Sequence, residues 1–204
     1  MPEALALDIQ DLDPDPLVQF ARWFEAAQTC GNPEPTAMTL ATATAGGIPS
    51  ARMVLLKGAD AQGLVFFTNY QSAKARELTE NSSAALVFFW PELHRQIRVT
   101  GKAVRVSRDE SAGYFATRPL GSRIGAWASK QSEPLIDRAE LERRYQEVAR
   151  RYPDGAVPLP EHWGGFRVVP DSLEFWQGRE SRLHDRFLYR RAPGGGWTLQ
   201  RLYP

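Results

Sequence analysis

Three stretches of this 204-residue chain concentrate side chains able to grip an anion or a polar ring. The first lies inside residues 174–189 (EFWQGRESRLHDRFLY). Read as an extended strand, it places Arg182, His184 and Arg186 in a row on one face, roughly 7 Å apart. Such a row suits a ligand that is anionic or carries a polar heteroaromatic ring; the same pattern also describes the solvated face of a hairpin. The second stretch is residues 50–57 (SARMVLLK), an apolar strand with a cation near each end. Arg52 offers a planar fork that meets phosphate in two contacts, and Lys57 a point charge. Lys74 joins them from the first turn of a helix predicted over 73–80, where free N–H groups and the helix dipole favour an anion. In the third stretch, Tyr114 and Arg118 stand four apart on one helix face, with Ser122 just past Pro119. A phenol, a guanidinium and a hydroxyl in that order can hold a second phosphate. Taken singly, each cation here is also an ordinary surface residue, and Tyr114 an ordinary packing residue.

Other chemistries find no support. There is no G-x-G-x-x-G after a strand, no G-x-x-x-x-G-K-[ST] and no G-x-S-x-G. His94, His162 and His184 are too far apart for a local metal motif, so no metal is expected. The lone Cys30 excludes an internal disulfide. Residues 1–35 hold seven acids and one arginine, a net −6, which leaves +7 on residues 36–204. That excess is too dispersed for a nucleic-acid groove but suits a compact anion such as a phosphate ester. An apolar fraction of 43% with no run near the length of a membrane span argues a globular chain. The acidic start lacks the basic region of a secretory signal, and a cytoplasmic protein is expected.

The elements that must position these residues follow from periodicity. Residues 1–13 read as a loose acidic arm. Asp13-Pro14-Asp15-Pro16 signals the start of a helix whose Leu17, Phe20, Phe24 and Ala27 make one stripe to about residue 28. Strands are predicted at 37–44 and 50–57 around a Gly46-Gly47 turn, at 64–68 after a turn over 58–63, and at 84–90, the last buried on both faces. In 96–107 the apolar phase shifts from Ile97 and Val99 to Val104 and Val106 across Gly101, the signature of a β-bulge. Ser107 and Glu110 form a capping box for a helix that falters at Arg118-Pro119, with a short helix over 121–129. Asp137 and Glu140 open another helix, striped by Leu141, Tyr145, Val148 and Tyr152. Strands near 166–169 and 172–177, the 174–189 stretch and 197–202 complete the chain. Many short strands with a few helices, and no βαβ alternation, predict one α+β domain built on an antiparallel barrel.

Taken together, RMVLLK at 52–57, Phe67-Thr68-Asn69, Ser72-x-Lys74, Arg95-Gln96, Arg118-Pro119, SKQS at 129–132, EFWQG at 174–178 and RLHDR at 182–186 resemble the pyridoxine/pyridoxamine 5′-phosphate oxidase family. The resemblance runs from about residue 15 to residue 204. It implies a split β-barrel that binds FMN as a homodimer, with each site built from both subunits. It further implies oxidation of pyridoxine or pyridoxamine 5′-phosphate to pyridoxal 5′-phosphate, with O2 as acceptor and H2O2 released, in vitamin B6 metabolism. By position, Arg52 and Lys74 are implied to hold the FMN phosphate. Arg52, Met53, Val54, Leu55, Leu56, Lys57, Phe67, Thr68, Gln96, Gln131, Ser132, Trp176 and Arg186 are implied to line the rest of the flavin site. Lys57, Tyr114, Arg118 and Ser122 are implied to grip the substrate phosphate, and Arg182 and His184 to cover the pyridine ring as the catalytic pair.

Three departures stand out. Ala73 replaces an arginine of the family pattern, with Arg76 a candidate substitute. Phe67 stands where some relatives have Tyr, and the acidic arm replaces an Arg-rich segment. A phenazine-pathway flavin oxidase and a non-catalytic flavin- or pyridoxal-phosphate-binding module remain the alternatives.

Overall fold

The computed structural model describes residues 6–204, so the first five residues of the expected loose arm lie outside the described part. Nine strands form one sheet: β1 (Ala37–Ala43), β2 (Pro49–Leu55), β3 (Gly58–Asp60), β4 (Gly63–Asn69), β5 (Ser83–Trp90), β6 (Arg95–Arg105), β7 (Trp163–Gln177), β8 (Asp185–Arg191) and β9 (Trp197–Leu202). The order is β2-β1-β5-β6-β7-β4-β3, with β8 on β7 and β9 on β8, and every pairing is antiparallel. The helices are α1 (Pro16–Thr29), α2 (Ala73–Glu80), α3 (Arg108–Thr117), α4 (Leu120–Ala128) and α5 (Arg138–Arg151). The expected α+β class with a curled antiparallel sheet is therefore present.

β7 is the strand that splits the barrel. One edge pairs with β6 along its length; the other pairs with β4 over residues 163–168 and with β8 over residues 172–177. Opposite Thr100 and Gly101 the register shifts. The bulge is where the sequence placed it, but the extra residue is Asp171 of β7. β6 itself stays in phase, with Ala103 buried and Val104 exposed, contrary to the expected switch. Gly101 is required for another reason: a Cβ there would sit 2.1 Å from the Val169 carbonyl oxygen. The kinked partner strand comes too close for any side chain.

The main core fills the concave face with Met38, Leu40, Phe66, Leu86, Phe88 and Phe175, all fully buried. α1 covers it because Asp15 caps its first turn (Leu17 N–H to the carboxylate, 2.8 Å) and Pro16 fits the first helical position. Its apolar face sets Phe20 edge-on to Phe88 at 5.1 Å and Trp23 edge-on to Phe175 at 5.1 Å. Each such side chain contributes about 1.5–3 kcal/mol of burial free energy. A second cluster of Phe115, Ile124, Val157 and Trp163 seats α3 and α4 on the sheet, with Tyr145, Val148 and Tyr152 of α5 against it.

Several expectations need correction. Residues 6–13 are docked rather than loose: Asp8 and Asp11 cap a short 3-10 turn, and Asp13 accepts from the Tyr189 hydroxyl at 2.7 Å. The Leu7 N–H donates to Asp185 at 3.1 Å. β5 alternates instead of being buried on both faces, with Phe89 57% exposed. The segment after residue 57 contains β3 as well as a turn. The Ser107 hydroxyl caps the Glu110 N–H at 3.0 Å, but the Glu110 carboxylate turns to Arg167 at 3.1 Å, so only half of the capping box forms.

Most consequential, Arg182 and His184 are not on a strand. β8 begins at Asp185, and residues 180–182 form a 3-10 turn with Ser181 at φ 55° and Arg182 at φ 62°. The regular row of three basic groups does not exist.

Candidate functional site

A cavity of about 790 Å³ opens where β2, β4 and α2 meet α3 and α4. Of the residues singled out from the sequence, it is lined by Arg52, Met53, Val54, Leu55, Lys57, Phe67, Thr68, Lys74, Tyr114, Arg118, Ser122, Gln131 and Ser132. Leu56 alternates away into the main core. β2 is an edge strand whose odd positions stand open, which puts Met53 and Leu55 on the surface.

One end of the cavity gathers Arg52 and Lys74. Lys74 is buried in the first turn of α2, and among the described residues its ammonium reaches only the hydroxyls of Thr68 (3.3 Å) and Ser72 (3.4 Å). Burial, and then the Arg52 charge, hold it below the ordinary lysine value, while Glu77 pulls the other way. Among the described residues no carboxylate pairs with it. Ser72 leaves the helix N–H groups uncapped by its side chain. Ala73 lines the cavity, whereas Arg76 is exposed and spends its guanidinium on the Gln71 carbonyl. Arg76 is therefore not placed as the expected substitute for an arginine at position 73.

The other end carries Tyr114, Arg118 and Ser122. α3 ends at Arg118 because Pro119 follows, and α4 then brings Ser122 to the same wall. The Tyr114 ring stacks on Phe67 at 4.1 Å, and the Arg118 guanidinium lies 4.7 Å over the Trp163 ring. Burial raises the Tyr114 hydroxyl above its usual range and lowers Arg118, each partly offset by the other. One terminal nitrogen of Arg118 is buried with no hydrogen-bond partner. A buried donor left idle on a cation is costly unless an acceptor meets it, and an anion suits it best.

Gln96, Trp176, His184 and Arg186 form a second group that does not line this cavity. Register pairs Gln96 with Trp176 and Trp176 with Arg186. Arg186 is held by Glu174 at 2.9 Å, a carboxylate shared with Arg98 at 3.1 Å. His184 packs on Trp176 with ring centroids 4.6 Å apart, and its Nδ1 accepts from the Arg179 N–H at 3.0 Å. In the neutral ring the proton therefore sits on Nε2, the free donor. Arg182 lies in the adjacent turn. Gly165, paired with the cavity residue Phe67, is eleven residues along β7 from Trp176. That is a contour of about 36 Å. One protomer does not bring the two groups together.

Sequence reasoning missed Trp163, Asn69, Ser129, Gly125 and Ala126 of the lining as site residues, and Glu77 behind it. The Trp163-Gly164-Gly165 triplet was the available signal for the first. A Cβ on Gly165 would stand 2.8 Å from the Phe67 ring, so glycine lets the Phe67–Tyr114–Trp163 stack form. Glu77 gave no signal, since a carboxylate on an exposed-looking helix is ordinary. Among the described residues, no group of three His, Cys, Asp or Glu could hold a metal ion, and no helix is long and apolar enough to cross a membrane.

Comparison with known proteins bears on these two groups. Residues 24–152 match the family described as pyridoxamine 5′-phosphate oxidase, and residues 163–204 match the pyridoxine 5′-phosphate oxidase C-terminal dimerisation region. A pyridoxine/pyridoxamine 5′-phosphate oxidase of Paraburkholderia phymatum is 56% identical over 98% of this chain and 93% of its own length. One from Rubrobacter xylanophilus is 59% identical over 94% and 88%. Among solved structures, PhzG from Burkholderia lata, in complex with tetrahydrophenazine-1-carboxylic acid, superposes with a TM-score of 0.92 at 32% identity, covering 98% of each chain. With both family regions matched in order and curated relatives above half identity, the chain belongs to the pyridoxamine 5′-phosphate oxidase family.

Proposed function

We propose that this protein is an FMN-dependent oxidase. It converts pyridoxine 5′-phosphate and pyridoxamine 5′-phosphate to pyridoxal 5′-phosphate with O2 as acceptor, releasing H2O2 and, from the amine, ammonia. The observation that carries this reading is one cavity with a cation at each end that no carboxylate pairs with among the described residues, the buried Lys74 and the half-buried Arg118, whose one terminal nitrogen is buried without a hydrogen-bond partner. That fits two phosphate esters in one site, one on a cofactor and one on a substrate, and the donor set is that of phosphate recognition.

FMN, when bound, supplies the two-electron redox chemistry. Lys74, the α2 N-terminus and Arg52 would hold its phosphate, and Thr68, Gln131 and Ser132 its polar edge. Lys57, Tyr114, Arg118 and Ser122 would hold the substrate phosphate at the other end. His184 would offer its Nε2–H to a substituent of the pyridine ring, with Arg182 beside it. Fixing both reactants in one orientation can itself lower a barrier by about 7–11 kcal/mol in favourable cases.

Because Arg182 and His184 stand far along β7 from their own cavity, they would serve the cavity of a second copy. A homodimer with two shared sites follows, in keeping with the family's C-terminal dimerisation region. Co-expression tests this. Mixed dimers of Arg118→Ala and Arg182→Ala protomers should regain about half of wild-type activity, since one site is then intact. No regain, with both parents inactive and dimeric, would show that each site belongs to one protomer.

The likeness to PhzG favours a second reading, oxidation of a reduced phenazine precursor. Following flavin reduction and product formation with both B6 phosphates and with a dihydrophenazine acid under air separates the readings. Turnover of neither, with the flavin bound, would leave a binding module.

A further inference from the structure

Arg52 does not face the cavity with its whole fork. Its two terminal nitrogens carry four of the five guanidinium N–H groups, and they are directed at the Leu40 carbonyl (3.4 Å), the Thr42 hydroxyl, Ser50 (2.6 Å) and Glu77 (3.0 Å). Glu77 sits behind this clamp and outside the cavity lining, receiving Thr42 and Ser50 (2.8 Å) as well. Burial works to raise the Glu77 carboxyl, but these three hydrogen bonds and the Arg52 charge prevail and hold it below the usual range. It is thus ionised at neutral pH. The phosphate end therefore presents one cation paired with a carboxylate from behind, one ammonium at Lys74 bonded to hydroxyls alone among the described residues, and no third cation at Ala73.

We propose that Glu77 is a positioning residue that sets the strength of phosphate recognition. It holds Arg52 retracted against β1 and β2 and cancels much of its charge, so that Lys74 and the α2 N-terminus carry most of the attraction and the cofactor phosphate is held less tightly than the two cations alone would hold it. The inference rests on the FMN phosphate lying at this end of the cavity. The physical warrant is the sign of the charge: a fixed carboxylate on the far side of the guanidinium opposes an incoming dianion, and a guanidinium already engaged on four N–H groups has only Nε–H left to give.

The test compares FMN with riboflavin, which lacks the phosphate, by flavin fluorescence quenching on the apoprotein. Glu77→Gln keeps an acceptor for Thr42, Ser50 and Arg52 while removing the charge. It should tighten FMN at least threefold and leave riboflavin unchanged. Lys74→Gln should weaken FMN at least tenfold, again sparing riboflavin. If Lys74→Gln lowers the preference for FMN but Glu77→Gln does not raise it, the Glu77 role is overturned. If Lys74→Gln leaves the preference intact, the phosphate is not at this end, and the cavity reading falls with the Glu77 role. A Glu77→Gln protein that loses riboflavin and FMN alike would make Glu77 a structural residue only.

Discussion

In the cavity wall, Arg52, Lys74, Tyr114 and Arg118 stand on β2, α2 and α3, at positions fixed by strand alternation, a helix first turn and a proline stop. At the far end of β7, Arg182 and His184 stand on a turn whose backbone includes two non-glycine residues in the left-handed region. The two regions carry the same kinds of side chain but position them by different means. The wall uses regular hydrogen-bonded elements. The tip uses local strain, with the Arg179 N–H clamping His184 and Asp185 anchoring the start of β8 through Leu7 and Arg201 (3.4 Å). Strained backbone of this kind costs of order 1–3 kcal/mol per residue and persists only where its surroundings enforce it. Each region also backs an arginine with a carboxylate, the half-buried Glu77 behind Arg52 and the buried Glu174 behind Arg186.

If the tip serves the substrate and the Arg52–Lys74 end of the wall serves the cofactor, their mutations should separate. Arg182→Ala should lower kcat/KM for pyridoxine 5′-phosphate about a hundredfold, near the upper end of the roughly 1.5–3 kcal/mol for a charge-assisted contact. FMN affinity should stay within threefold, and an unchanged kcat/KM would remove Arg182 from the site. A pH titration of cofactor binding probes the wall next. Because Lys74 is held below the ordinary value of 10.5, FMN affinity should be greatest below the lowered value. It should fall as pH rises through the lowered value, earlier than for an ordinary lysine. Lys74→Gln should flatten this dependence, and a fall that survives the substitution would assign it elsewhere. Ala73→Arg, adding a cation at the cavity edge, should tighten FMN about three- to tenfold by the same fluorescence assay. An unchanged dissociation constant would mean that the added side chain does not reach the phosphate. Smallest of all, Ser181→Gly should relieve the turn and stabilise by about 1 kcal/mol, raising Tm by roughly 2–4 °C. A lowered Tm would mean that the serine side chain, not its backbone, holds the tip.

The same contrast explains what was legible in the sequence. Helix α2 and its lysine were readable because residue type and periodicity are local signals, even though the Ser72 side chain makes no cap bond, and α1, β6 and the Gly101 irregularity were readable for the same reason. The Arg182–Arg186 segment misled because alternation of basic and apolar residues imitates a strand, while the positive φ angles at Ser181 and Arg182 have no glycine to announce them. Glu77 was invisible for another reason, since its role depends on Arg52, 25 residues away, and the glycines after Trp163 marked a close approach without naming its partner Tyr114, 49 residues away. The docked arm was missed because an acidic, apolar-poor segment looks unstructured until Arg201 and Tyr189 are seen to receive it.

The extra residue at Asp171 works as a change of reading frame within β7. Before it, even-numbered Phe166 and Val168 face the main core; after it, odd-numbered Leu173 and Phe175 do. Without that one-residue step, the frame of the first half would carry Glu174 and Trp176 inward and turn Leu173 and Phe175 out. Deleting Asp171 itself, by contrast, would close the ladder between Pro170 and Ser172 and leave Leu173 and Phe175 on the core face, so the extra residue gives the strand its bend at Gly101 and not its choice of core side chains.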